Sequence, residues 1–518
     1  MKKTNHFVLI SILSALIFQS QTYGNESWGN LKPGEYSTGF RLITTQDLSR
    51  VYPNNNSTEL NPRPIRIYIW YPAEQSSQPP MKFNEYIQMA YDDFNSPSEF
   101  HQDMNIMEIL PVQILKGIPS EKIETLLKQP TYAIRDITPM PGKYPLLLFG
   151  QGLYYESPLT HFILCEYLAS HGYVVATCPL LGTHYRLVNI NVEDLETQVR
   201  DLEFSLGYAR NLPYVDSDRT GIIGYDLGGM TGLILVMRNP DIKVFLSMDS
   251  AITHGHYSGL PQSHFSYREE KFVIPWMHMM QTRFIEYYRK QQETSSLFQQ
   301  KKYGASYFVA VPTNNHGCFS AFAALGIENS IPGYWEPIEP NIAELHDQIC
   351  TTALLFLDGY LKNDQISRDI MNDRKQNILD PITLFKYEFK PGAIPPPTKA
   401  HLIDSIIKYG VKSVKPELEL LRKEYAPEEL FDETVVNWLG YHFLYWWDRP
   451  HEALEVFKLN VWLFPESANA LSSLGEGYMI MEDKEQAIHY LQKSLDLNPD
   501  DEAVKDLLER LKKTDTKK

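Results

Sequence analysis

The chain has 518 residues, more than a single hydrophobic core usually organises, so its length alone indicates at least two domains. Its formal charge of −16 argues against a nucleic-acid-binding protein, which needs a basic face to displace counterions, and it gives no attraction to anionic membranes. Four cysteines without a CxxC pair exclude a disulfide scaffold and argue against a structural zinc site.

The first 24 residues have the pattern of a secretory signal peptide. Lys2 and Lys3 precede a short apolar run at residues 7–18, and a polar stretch with small residues follows as far as Gly24. The run is too short for a stable membrane-spanning helix, which needs about 20 apolar residues. We therefore expect an exported protein, secreted or periplasmic after cleavage near Gly24, without stable membrane insertion.

Residues 25–390 alternate short strand patterns with helical segments, which predicts an α/β domain. Several strand segments are unbroken apolar runs, typical of parallel strands that are buried on both faces, so the central sheet should be mostly parallel. Residues 79–140 interrupt the alternation and are interpreted as an insertion that covers part of a site. The clearest predicted strands are residues 65–71, 144–149, 173–178, 220–225, 243–248 and 306–311, with helices at 162–171 and 192–211.

A proline-rich linker at residues 391–399 leads into an all-helical region at residues 400–518. Within that region a pattern of small, large and proline residues recurs after 34 positions, as in Ala453, Phe457 and Pro465 against Ala487, Leu491 and Pro499. The pattern resembles two tetratricopeptide repeats, at residues 434–467 and 468–501. Such repeats are expected to dock a protein partner, and they group no nucleophile with a base.

The sharpest chemical signal lies at residues 224–229, which read Gly-Tyr-Asp-Leu-Gly-Gly between an apolar strand and an apolar helix. This is the strand–tight turn–helix context of a nucleophile elbow. Small residues are needed there because the central residue takes a strained conformation that exposes its side chain. The central residue is Asp226, and no GxSxG motif elsewhere in the chain supplies a serine.

With this elbow the chain resembles the α/β-hydrolase superfamily, and most of all the bacterial relatives of platelet-activating-factor acetylhydrolases and dienelactone hydrolases. The resemblance covers about residues 30–365. Residues 145–153 are similar to the third core strand and its oxyanion loop, and residues 168–176 are similar to the next helix and strand. The resemblance implies a small-molecule substrate and needs no cofactor.

The resemblance also implies the site residues. Asp249 ends the strand that follows the elbow, and His316 follows a later strand, so nucleophile, acid and histidine come in the order of this family. Asp226, Asp249 and His316 would then form the catalytic triad. The backbone N–H groups of Leu153 and Leu227 would form the oxyanion hole, where losing one donor typically costs about 10²–10³ in rate.

Two departures from the family bear on the reaction. Gln151 stands where the family usually has a histidine, and Asp226 replaces the serine nucleophile. A carboxylate that attacked an ester carbonyl would be expelled again, because it is a better leaving group than an alkoxide. Carboxylates succeed at saturated carbon, where displacement gives an alkyl-enzyme ester, as in the haloalkane dehalogenases and epoxide hydrolases that carry an elbow aspartate. His316, oriented by Asp249, would then activate water to cleave that ester.

Three interpretations of Asp226 stay open from the sequence. The first is a hydrolase of ester-like or alkyl substrates, epoxides or halides among them. The second is a catalytically silent hydrolase fold that binds a ligand or a partner, and the third is a general base that activates water. Those dehalogenases and epoxide hydrolases usually have a tryptophan after the aspartate and a large cap, whereas here Leu227 follows. A metal site made of the three triad residues is disfavoured. Four tyrosines are candidates to polarise an epoxide oxygen: Tyr257, Tyr267, Tyr287 and Tyr288.

Overall fold

A computed structural model describes residues 28–52, 61–94, 118–153, 157–250, 252, 259–282, 296–326, 341–374 and 385–513. The chain divides into two compact units, Met1–Ala393 and Ile394–Lys518. The predicted signal peptide lies outside the described residues. None of the described helices is long and apolar enough to cross a membrane.

The first unit is built around one mixed sheet, whose strand order is β10-β9-β8-β7-β6-β4-β5-β2-β1-β3. The strands β4 to β9 pair in parallel, whereas β2 runs antiparallel to β5, β1 to β2, and β10 to β9. The described strands are β1 (Ser37–Tyr52), β2 (Asn61–Ala73), β3 (Ala133–Arg135), β4 (Tyr144–Gly150), β5 (Val174–Thr177), β6 (Val215–Tyr225), β7 (Ile242–Met248), β8 (Trp276–Gln281), β9 (Ser306–Val311) and β10 (Lys386–Lys390).

Helices cover both faces of this sheet, so the central strands are apolar on both sides. Alternate residues of β4 enter different cores: Leu147 and Phe149 on one face, Leu146 and Leu148 on the other. The described helices of the first unit are α1 (Phe83–Phe94), α2 (Ser120–Lys128), α3 (Phe162–Ser170), α4 (Val192–Ala209), α5 (Leu227–Arg238), α6 (Gly259–Gln262), α7 (Ser296–Gln300), α8 (Ala321–Ala324), α9 (Ile342–Leu361) and α10 (Gln365–Arg374). Helices α3 and α9 pack on the first face, and α4 and α5 on the second.

The mostly parallel sheet and its helical layers are those of the α/β-hydrolase fold, so the predicted fold class is confirmed. The six predicted strands and both predicted helices are present. Four further strands were not predicted as strands: β1, β3, β8 and β10. The segment predicted as an insertion contains α1, α2 and β3, and β3 extends the sheet by pairing with β1. Residues 95–117 of that segment lie outside the described residues.

The second unit is helical throughout its described length, as predicted. Its helices are α11 (Lys399–Tyr409), α12 (Val411–Leu421), α13 (Pro427–Leu430), α14 (Glu433–Tyr445), α15 (Pro450–Leu463), α16 (Ala468–Ile480), α17 (Lys484–Leu497) and α18 (Glu502–Lys513). Small residues let the paired helices approach: a Cβ on Gly475 would lie 2.7 Å from the Leu491 side chain. In the earlier pair the small residue is Gly440, since a Cβ there would lie 2.4 Å from Phe457. The 34-residue repeat places Tyr441 opposite Gly475, so the close approach in this pair falls one position earlier than the repeat predicts.

Candidate active site

The functional side chains share one edge of the sheet because each follows a parallel strand at its carboxyl end. Asp226 follows β6, Asp249 follows β7, and Leu153 lies just beyond β4. His316 comes five residues after Val311, the last residue of β9. The topology therefore brings together residues that are far apart in sequence, at the edge where open α/β sheets bind ligands.

Asp226 occupies the tight turn predicted for it. Its φ of 50° and ψ of −116° lie outside the regions that non-glycine residues favour, at a cost of about 1–3 kcal/mol. The neighbouring glycines make the turn possible: a Cβ on Gly228 would meet the Gly150 carbonyl oxygen at 2.1 Å, and one on Gly224 would meet the Gly228 oxygen at 2.3 Å. The Asp226 backbone is held by Ser250, whose Oγ donates to the Asp226 carbonyl at 2.6 Å.

The Asp226 carboxylate itself lies in the predicted oxyanion hole. The Leu153 N–H donates to Asp226 Oδ2 at 2.9 Å, and the Leu227 N–H is a second backbone donor to the same carboxylate. Burial raises the pKa of Asp226, while the charge of His316 and the two N–H groups act in the opposite direction. The two donors expected to receive a substrate oxyanion are thus engaged by the side chain that replaces serine.

The oxyanion loop approaches the elbow closely. A Cβ on Gly152 would lie 2.6 Å from Cδ1 of Tyr225 and 2.9 Å from Cβ of Asp226, so only glycine fits there. The preceding residue, Gln151, is buried and donates through Nε2 to Thr177 Oγ1 at 2.8 Å. This bond ties the loop after β4 to the end of β5, which gives Gln151 a structural role.

Asp249 and His316 form a buried pair. His316 Nδ1 and Asp249 Oδ2 lie 2.5 Å apart, and the two residues are 8% and 6% exposed. Burial by itself lowers the pKa of His316. The hydrogen bond to Asp249 and the charges of Asp249 and Asp226 act in the opposite direction and are stronger, so the pKa of His316 is raised. With Nδ1 facing Asp249, the imidazole presents Nε2 as its remaining proton-accepting atom. Asp226 is partly exposed.

Three residues outside the predicted set contact these groups. Gln281, the last residue of β8, donates from Nε2 to Asp249 Oδ2 at 2.7 Å and from its backbone N–H to Oδ1 at 3.2 Å. The Tyr225 ring stacks on the His316 ring with centroids 4.6 Å apart, and His161 contacts the Tyr225 ring at 4.6 Å. The sequence carried one signal for Gln281, namely a polar residue that ends β8, the mostly apolar strand that comes next in the chain after the acid strand β7.

Of the tyrosines considered for polarising an epoxide oxygen, Tyr267 is the one within the described residues, and its hydroxyl is engaged elsewhere. The Tyr267 hydroxyl donates to Glu269 at 2.8 Å, and the remaining candidate tyrosines, at positions 257, 287 and 288, lie outside the described residues. Within the described ranges no cluster of three metal-ligating side chains is present.

Comparison with known proteins finds a similar solved structure and no matching family model. A solved structure of a ferulic acid esterase from Streptomyces cinnamoneus aligns with 64% of this chain and 93% of its own, at 17% identity and a TM-score of 0.49. No known protein family matches the sequence. No curated protein matches it either.

Proposed function

We propose that this protein is a hydrolase in which Asp226 displaces a leaving group from a saturated carbon, forming an alkyl-enzyme ester that His316 and water then cleave. One observation carries the proposal: Asp226 Oδ2 accepts the Leu153 N–H at 2.9 Å, with the Leu227 N–H as a second donor. An epoxide or an alkyl halide is the substrate class that fits this chemistry.

The first step needs one free carboxylate oxygen and no base. With Oδ2 held by the Leu153 N–H, Asp226 attacks through Oδ1. The new bond joins Oδ1 to the substrate carbon, and the bond to the epoxide oxygen or halide breaks. The electron pair leaves with that atom, and an epoxide oxygen takes up a proton from solvent water. Asp226 becomes an ester whose carbonyl oxygen is Oδ2.

In the second step the oxyanion hole stabilises the negative charge of the tetrahedral intermediate of ester cleavage. Water adds to Cγ of the ester, and the charge that develops on Oδ2 falls on the Leu153 N–H, which is already in place, with the Leu227 N–H as a second donor to the same group. His316 Nε2 takes the proton of that water, and Asp249 stabilises the imidazolium that forms. The adduct collapses as the Cγ–Oδ1 bond breaks, and Oδ1 leaves in the product alcohol with the proton that His316 returns to it. The second proton of the water passes to solvent, and the carboxylate is regenerated with one oxygen from water.

Isotope labelling tests this route. In a single turnover in ¹⁸O-water with excess enzyme and a small epoxide or 1-haloalkane, the product alcohol should contain no ¹⁸O, and mass spectrometry should find one ¹⁸O in the peptide that contains Asp226. His316→Gln should accumulate the alkylated Asp226 peptide, because ester formation survives and ester cleavage does not.

The matched control is Asp226→Asn, which should give neither adduct nor turnover. Label that appears directly in the alcohol would contradict the proposal and favour Asp226 as a general base for water. Absence of an adduct in His316→Gln with both substrate classes would favour a silent binding fold.

For the second unit we propose a role in binding rather than in catalysis. In its helix pairs α14–α15 and α16–α17 a glycine of the first helix packs on a large side chain of the second, Gly440 on Phe457 and Gly475 on Leu491. We infer that these pairs are tetratricopeptide-like repeats that dock a protein partner, while the chemistry stays in the first unit. We also propose that the protein acts outside the cytoplasm after removal of the signal peptide.

A further inference from the structure

The acid of the candidate triad has a second donor on the oxygen that faces the imidazole. Asp249 Oδ2 accepts Gln281 Nε2 at 2.7 Å and lies 2.5 Å from His316 Nδ1. The Gln281 backbone N–H occupies the other oxygen, Oδ1, at 3.2 Å. Both oxygens of the carboxylate are therefore fixed by one residue at the end of β8.

The orientation of the Gln281 amide follows from its partner. An ionised carboxylate only accepts hydrogen bonds, so the amide must present its NH₂ group to Asp249. Gln281 is only 2% exposed, so this orientation leaves its Oε1 buried. That oxygen has no hydrogen-bond donor among the described residues. An apolar side chain of similar volume would avoid this unmet acceptor, so packing alone does not account for glutamine at this position.

We propose that Gln281 is a positioning residue for the reaction: its side-chain N–H holds Asp249 in the orientation that fixes the His316 tautomer and limits how strongly Asp249 draws on the Nδ1 proton. The inference rests on the proposed function for its catalytic meaning, whereas the hydrogen-bond arrangement is a property of the resting protein. A carboxylate that shares its charge with a second donor is a weaker acceptor for the imidazole.

A test must separate the effect of Gln281 on His316 from the effects of the charged groups around His316. The charged and titratable groups that act on it are Asp249, Asp226 and His161, and the Tyr225 ring covers one face. Gln281 is uncharged and acts on His316 through Asp249. Its removal should thus change the imidazole without adding or removing a charge.

The experiment is an NMR titration of His316 in the full chain, in wild type and in Gln281→Met, with the signal assigned by its loss in His316→Gln. Without the side-chain donor, Asp249 should bind the imidazolium more strongly, and the pKa of His316 should increase by about half a unit to one unit. Asp249→Asn serves as the positive control and should lower the pKa. Met280→Leu, a volume-conserving change on the same strand, is the matched control and should leave it unchanged.

An unchanged or lowered pKa of His316 in Gln281→Met would overturn the proposal. If that variant does not fold, Gln281→Leu removes the same donor and is interpreted in the same way. The titration needs no substrate, so its outcome is independent of whether Asp226 forms the alkyl ester. In turnover assays limited by ester cleavage, the acid limb of the kcat profile should move in the same direction as the pKa of His316, which a merely structural role would not produce.

Discussion

Asp226 combines a serine-hydrolase position with a side chain that fills the space where a substrate oxyanion would bind. The Leu153 N–H that would stabilise an ester's tetrahedral intermediate is 2.9 Å from Asp226 Oδ2 instead. Direct attack on an ester carbonyl would need this donor to be released and would give an anhydride that reverts. The geometry is better matched to a reaction in which Oδ2 is itself the future carbonyl oxygen.

Asp226→Ser should therefore convert the site into an esterase. A serine oxygen is one atom shorter in reach than the carboxylate, so the N–H groups of Leu153 and Leu227 become available to a substrate oxyanion, and His316 becomes the base for the hydroxyl. Hydrolysis of nitrophenyl acetate, followed by absorbance, should exceed that of the parent by about 10²-fold or more. Adding His316→Ala should abolish the gain. A parent that hydrolyses this ester well and loses the activity in Asp226→Asn would show that carboxylate attack on esters is feasible here.

A second prediction at this scale concerns Lys301, which is 5% exposed and donates to the Gly304 carbonyl at 2.9 Å. Burial, with the charge of Lys390, lowers the pKa of Lys301 from 10.5 to about 7. Between these values the unfolded chain binds the proton and the folded chain does not, so stability should increase with pH. From pH 7 to 9 the gain should be roughly 2 kcal/mol.

Urea unfolding of wild type and Lys301→Met at several pH values measures this gain. The variant should lack the increase between pH 7 and 9, and the neighbouring Lys302→Met, whose side chain is exposed, should retain it. Parallel stability curves for wild type and Lys301→Met would show that Lys301 titrates normally in the folded protein.

At the scale of elements, the elbow depends on how closely α5 approaches the end of β4. A Cβ on Gly228 would meet the Gly150 carbonyl oxygen at 2.1 Å, and backbone on both sides leaves no flexible side chain to move away. Gly207, near the end of α4, has no atom within 4 Å of its would-be Cβ. Gly228 is therefore required for a close backbone contact, whereas Gly207 makes no such contact and only weakens its helix.

Alanine at these two positions should have opposite effects. Gly228→Ala should destabilise the first unit by roughly 1–3 kcal/mol and disturb the oxyanion loop, because overpacking must displace the backbone. Gly207→Ala should stabilise it by about 0.5–1 kcal/mol, because alanine restricts the unfolded chain and favours the helix. Urea unfolding measures both, and a Gly228→Ala variant as stable as the parent would contradict the close approach.

The predictable elements were those with a strong local pattern. The strands β4 and β6 are unbroken apolar runs where they cross the core, and the glycines around Asp226 mark its turn, so the sheet and the elbow could be predicted. The strand β1 has consecutive buried residues only at 38–40 and carries mostly polar side chains along its second half, which weakens its signal. The bonds from Gln281 to Asp249 and the stacking of Tyr225 on His316 depend on strand order, which no local pattern encodes.

At the scale of the whole molecule, the boundary between the two units is narrower than the predicted linker. Ala393 exchanges backbone hydrogen bonds with Lys302 and Gly304, and a Cβ on Gly392 would meet the Gly304 oxygen at 2.1 Å, so the first three residues of the linker belong to the first unit. Residues 394–399 include Ile394, which is 82% exposed. This shorter stretch is the connecting segment.

Limited proteolysis should cut first within residues 394–399, because exposed backbone with few hydrogen bonds opens most easily. The resulting first unit should retain the turnover of the full chain, since Asp226, Asp249 and His316 all lie within it. Mass spectrometry of the fragments and a turnover assay measure the two results. Earlier cutting inside either unit, or a folded first unit without activity, would mean that the units act together.

Export is tested at the N-terminus. The mature protein should begin near Asn25, the residue that follows Gly24, with the positively charged start removed. Intact mass and N-terminal sequencing of protein recovered from outside the cytoplasm measure this directly. Retention of Met1 on a membrane-bound product would contradict a cleaved signal peptide.

The engagement of the oxyanion hole by Asp226 also determines how the protein would behave toward covalent probes. Fluorophosphonate reagents label serine hydrolases by forming a tetrahedral phosphorus adduct on the serine oxygen, with the phosphoryl oxygen in the hole. Here the hole already holds a carboxylate oxygen, and the elbow has no hydroxyl. A survey of an extracellular proteome with such probes would pass over this protein, whereas an epoxide-bearing probe would label it, and most persistently when His316 is absent.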